Sequence, residues 1–75
     1  MYNYTFYLYV NGKLNSAISS VASYATRNEA IECARIAAKN NTYVNKVVEE
    51  TDDGAQVWYT SPETGSRIHC VYKVR

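Results

Sequence analysis

The residues able to do covalent or metal chemistry are few in this chain and badly spaced for it. His69 is the only histidine in 75 residues, and Cys33 and Cys70 are the only cysteines. If residues 67–74 form a strand, His69 and Cys70 point to opposite faces and cannot share a metal ion. Cys33 falls on the apolar side of an expected helix, where a thiolate is disfavoured, so a Cys33–His69 nucleophile–base pair has little support. No Gly-x-Ser-x-Gly nucleophile turn is present. Glu49, Glu50, Asp52 and Asp53 cluster around a turn. They read as a solvated turn, with an acidic contact for a basic partner as the alternative. The chain therefore reads as a non-enzyme without catalytic residues, metal or cofactor, and both cysteines read as reduced core thiols.

What the chain has in excess is tyrosine. There are eight, and Tyr2, Tyr4, Tyr7 and Tyr9 crowd the first nine positions. Tyrosine offers large, stiff contact area with a polar tip, and it is enriched at recognition surfaces. The formal net charge of +1 argues against an acidic DNA mimic and against DNA binding by bulk positive charge. Binding by charge would have to come from local patches.

Such residues need a frame to hold them. At this length residues 1–75 form one domain, and 47% hydrophobic with 20% charged residues argues for a folded globular chain. No run of 18 apolar residues occurs, and Met1 precedes Tyr-Asn-Tyr rather than a basic and then apolar leader. No membrane partner and no signal peptide are expected, and the expected location is cytoplasmic.

Residues 2–10 read as a strand rich in β-branched and aromatic types, with Tyr2, Tyr4, Phe6, Leu8 and Val10 on one side. Asn11-Gly12 predicts a two-residue hairpin, since both turn residues must take φ > 0. The returning strand would run from Lys13 to about Tyr24. Thr26-Arg27-Asn28-Glu29 has the form of a capping box. It predicts a helix over 27–40 with Ala30, Ile31, Cys33, Ala34, Ala37 and Ala38 inward and Asn28, Glu32, Arg35 and Lys39 outward. Three more strands are expected at 43–51, 55–60 and 67–74, separated by Asp52-Asp53-Gly54 and by a loop over 61–66. The predicted fold is α+β: an antiparallel sheet of four to five strands, in the order β-β-α-β-β-β, with one helix packed on one face.

One helix covers one face only. If the even positions of the first strand meet the helix, Tyr7 and Tyr9 point away from it. The hairpin would place Tyr9 across from Leu14 and Thr5 across from Ile18, giving an apolar patch. Arg67, His69, Lys73 and Arg75 share the outward side of the last strand. Such a face could stack bases and hold phosphates, or it could grip a protein. Trp58 belongs to it if Val57 and Tyr59 are inward, and the sequence leaves that register open. The candidate partner-binding residues are Tyr7, Tyr9, Trp58, Arg67 and Lys73.

Five stretches recur in a recognisable order: Arg35-Ile36-Ala37-Ala38-Lys39 late in the helix, Glu50-Thr51 then Gly54 at the hairpin, Trp58, Gly65-Ser66-Arg67, and Cys70. Over about 40 of the 75 residues, their order and approximate spacing resemble small phage-encoded anti-CRISPR proteins of the type I-F inhibitor kind. The resemblance implies one helix on a curled antiparallel sheet, and a non-enzymatic inhibitor acting in the host-cell cytoplasm. Such inhibitors dock on a CRISPR effector complex and obstruct target-DNA binding. The alternative is a small nucleic-acid-binding protein using the open sheet face. A monomer or a small homo-oligomer is compatible with either.

Overall fold

A computed structural model of the chain describes residues 1–41 and 45–75. Among them it has five strands and one helix: β1 (Tyr4–Val10), β2 (Lys13–Ser19), α1 (Arg27–Lys39), β3 (Val47–Thr51), β4 (Gly54–Thr60) and β5 (Arg67–Val74). The strands form one antiparallel sheet in the order β2-β1-β5-β4-β3. The α+β architecture is as predicted. The Tyr-rich strand β1 lies inside the sheet, between β2 and β5.

Asn11 and Gly12 take φ of 50° and 84°, the pair of positive values that a two-residue hairpin requires. Asn11 also ties the hairpin to β5. Its Oδ1 accepts from the Arg67 amide at 2.8 Å, and its own amide donates to the Arg67 carbonyl at 2.8 Å. β2 ends at Ser19, short of the expected Tyr24. Tyr24 instead forms an isolated bridge to Tyr2, which lies ahead of β1. The β1–β2 register shifts between Leu8 and Tyr9, so that Tyr9 does face Leu14 but Thr5 faces Ser19 rather than Ile18. The bulge absorbs Asn15 and turns Ile18 to the other face, opposite Phe6. Ile18 therefore does not belong to the open-face patch.

Helix α1 starts where the capping residues place it. Thr26 is extended, and its hydroxyl accepts from the Glu29 amide at 3.1 Å. Ala30, Ile31, Ala34 and Ala38 are buried. Small side chains let the helix approach Ala55 and Val57 of β4 and Cys70, Tyr72 and Val74 of β5, and Phe6, Leu8 and Tyr59 pack at the margin. Cys70 lies in this core, whereas Cys33 is only half-buried beside it, so one of the two expected core thiols sits at the edge. Both are free.

Arg35 departs from its expected place in solvent. Its Nε donates to the Gly54 carbonyl at 3.1 Å and its Nη2 to the Thr51 carbonyl at 2.6 Å, while Glu32 lies 3.5 Å away. A long side chain rooted on the polar side of the helix reaches down and staples it to the β3–β4 turn. That turn is tight: a Cβ on Gly54 would run into the Tyr72 carbonyl. β3 begins at Val47, and the expected start at Tyr43 lies outside the described residues.

Candidate docking face

With Val57 and Ala55 fully buried under the helix, the alternation of β4 sends Gln56, Trp58 and Thr60 to the other side. The register left open by the sequence is thereby settled, and Trp58 belongs to the open face. Pairing across the sheet then builds a transverse row. Leu14, Tyr9, His69, Trp58 and Val47 are successive partners on β2, β1, β5, β4 and β3.

The three middle members of that row stack. Tyr9 and His69 rings lie 5.5 Å apart at 28°, and His69 and Trp58 lie 4.9 Å apart at 3°. Neighbouring strands are about 4.8 Å apart, so rings standing upright on paired residues meet at stacking distance without distortion. His69 is the middle ring, and its plane is held by a chain of polar contacts. Its Nε2 lies 2.9 Å from Gln56 Oε1, and Gln56 Nε2 donates to Glu49 Oε1 at 3.0 Å. A carboxylate only accepts, so the Gln56 amide must donate to it and turn its oxygen to His69. Nε2 then carries a proton. The imidazole is fixed from the side by Gln56 and from both faces by rings.

The next rung carries Ala17, Tyr7, Val71, Gln56 and Glu49. The Tyr7 hydroxyl accepts from Arg75 Nη2 at 3.2 Å. That contact holds the phenol below its ordinary 10.0, and the guanidinium of Arg75 is raised in return. One rung further are Thr5 and Lys73, and Lys73 Nζ sits 3.7 Å from Asp53. Arg67 lies on the opposite flank of the aromatic row, paired with Thr60.

The structure thus brings Tyr7, Tyr9 and Trp58 together on adjacent rungs. It places Arg67 and Lys73 at the two ends of β5, six residues or about 20 Å apart. The two residues that sequence reasoning undervalued are His69 and Gln56. The outward parity of His69 was visible, but its place between two rings depends on pairing with β1, 60 positions away. The acidic cluster comes apart in the fold. Glu49 bonds Gln56, Glu50 pairs with Lys39 at 2.9 Å, and Asp53 meets Lys73 and the Thr51 hydroxyl. Lys39 holds the Glu50 carboxyl below its usual range. Cys33 is on the helix side of the sheet and His69 on the other. Among the described residues no group of three or more potential ligands could hold a metal ion. No helix there is long and apolar enough to cross a membrane.

The class that fold and face define is a small α+β domain with one helix on an antiparallel sheet and, among the described residues, a stacked aromatic row on the side away from the helix. Comparison with protein-family models, with curated proteins and with solved structures finds no match.

Proposed function

We propose that the protein is a non-enzymatic binding module that inhibits a large partner by occupying it, with the open sheet face as its docking surface. The observation that carries this reading is the Tyr9–His69–Trp58 stack. Three rings preorganised by strand pairing offer contact area with little rotamer entropy left to lose. Interface hot spots favour such residues. The resemblance to type I-F anti-CRISPR inhibitors names the target class: a CRISPR effector complex whose DNA-binding channel the domain would obstruct. Steric obstruction suits a near-neutral chain.

The charge arrangement favours a protein surface over a nucleic acid. Of the cations flanking the row, Lys73 is engaged by Asp53 and Arg75 by Tyr7, which leaves Arg67. A track for phosphates needs several uncommitted cations along one groove.

The test is a titration of target-DNA binding by a type I-F effector complex with the protein. Inhibition should saturate at a fixed stoichiometry, because an obstructing domain does not turn over. Inhibition at far below one copy per complex would mean catalysis, and no inhibition with tight, salt-sensitive binding to single-stranded DNA would move the protein to the nucleic-acid class.

A further inference from the structure

The aromatic row does not close at β3. Trp58 and Val47 are cross-strand partners, and with one face of the indole stacked on His69 its other face is turned toward Val47. Val47 is left 64% exposed. Beside it is a depression of about 320 Å³, lined on its apolar side by Val47, Trp58, Tyr59 and Ile68, with Asn45, Thr60 and Arg67 as polar neighbours. Tyr59 and Ile68 belong to the helix side of the sheet, so the notch wraps around the end of β4 and β5. Its size is at the lower end for pockets that take an organic group.

Arg67 supplies the chemistry. Arg35, Lys39, Lys73 and Arg75 all engage groups of this chain. Among the described residues the Arg67 guanidinium has no ion pair or hydrogen bond, although its backbone is anchored through Asn11. An uncommitted planar cation lining the same depression as the indole fits an aromatic ring with a carboxylate close by.

Resting on the protein-docking reading, we propose that this notch is the anchor of the docking face, taking an aromatic side chain that neighbours a carboxylate in a segment of the partner protein. The incoming ring continues the Tyr9–His69–Trp58 row as a fourth member on the free side of the indole. The carboxylate meets the fork of Arg67 and fixes the direction of the segment.

The probe is N-acetyl-phenylalanine, which carries ring and carboxylate together, followed by two-dimensional NMR of the labelled protein. Its addition should shift the Trp58 indole N–H, the Val47 amide and the Arg67 side-chain N–H, saturably. The uncharged amide of the same probe should bind about tenfold more weakly, as should the acid with Arg67→Gln. Trp58 ring-current shifts on the His69 signals report that the stack survives in that variant. Equal binding of acid and amide, or no shift at these three groups at the probe's solubility limit, overturns the proposal. So does tighter binding of adenosine monophosphate than of the acid, which would assign the notch to a nucleotide. Because this readout needs no effector complex, its failure alongside retained inhibition rejects the notch while sparing the docking face.

Discussion

The two faces of the sheet are organised differently. Between helix and sheet, Ala30, Ala34, Ala38, Ala55, Val57 and Cys70 are small and fully buried, which lets the two layers approach, and Tyr72 packs against Phe6 beside them. On the other face Tyr9, His69 and Trp58 are large and half-buried, and their rings stack on one another. Burial drives the first arrangement, and strand pairing positions the second. A domain this small can complete one core only. The proposed docking role accounts for the second, aromatic layer.

The contrast is broken most sharply at Gly54. A methyl group there collides with the Tyr72 carbonyl, so Gly54→Ala should cost about 3 kcal/mol or more in chemical denaturation. Ile31→Ala and Val57→Ala should each cost about 2–4 kcal/mol. Trp58→Ala should cost about 1 kcal/mol of stability, from lost ring contacts, while weakening partner binding far more. Equal stability losses for Val57→Ala and Trp58→Ala would make the open face a second core.

Arg35→Met keeps the stem and removes the staple. It should cost about 2 kcal/mol, since two carbonyls lose a charged donor. Hydrogen exchange would show the loosening at the β3–β4 turn first. No change in stability or exchange would reduce Arg35 to a surface charge.

Alkaline pH separates the faces without mutation. Burial pushes the Cys70 thiol above its ordinary 9.0, against an opposing hydrogen bond to Tyr59, and pushes the Tyr72 phenol above its ordinary 10.0. Both groups hold their protons more tightly folded than unfolded. The stability they support is complete below about pH 9 and falls as pH rises through the folded values. Tyr7 on the open face is lowered, so it adds nothing to that loss. Thermal melts of wild type and Cys70→Ser between neutral and alkaline pH should show a shallower decline in the variant. A small effect is also expected at the helix start, where Thr26→Ala should lose about 1 kcal/mol.

The legible part of this molecule was local. The Asn11-Gly12 hairpin, the Thr26 cap and the alternation of residues 67–74 each declare themselves within a few residues, and α1 and β5 follow. The register of β4 was not legible, because Val57, Trp58 and Tyr59 are all apolar and either parity makes a plausible core. The bulge that turns Ile18 away gives no sign in an unbroken Ser- and Ala-rich stretch. Arg35 followed the helical wheel at its Cα and departed from it at its tip, where length rather than spacing decides. The stack around His69 depends on pairing between strands at opposite ends of the chain, which periodicity cannot report.

The most direct test of the docking face is the double substitution Tyr9→Ala with Trp58→Ala, which leaves His69 without a ring on either side. Folding is checked by the far-ultraviolet spectrum and the melting transition, and potency by titrating target-DNA binding of the proposed target, a type I-F effector complex. With the fold intact, the affinity for the complex should fall by about thirtyfold or more, the equivalent of a 2 kcal/mol hot spot. Full potency in the folded double variant would place the interface elsewhere and contradict the reading of this face.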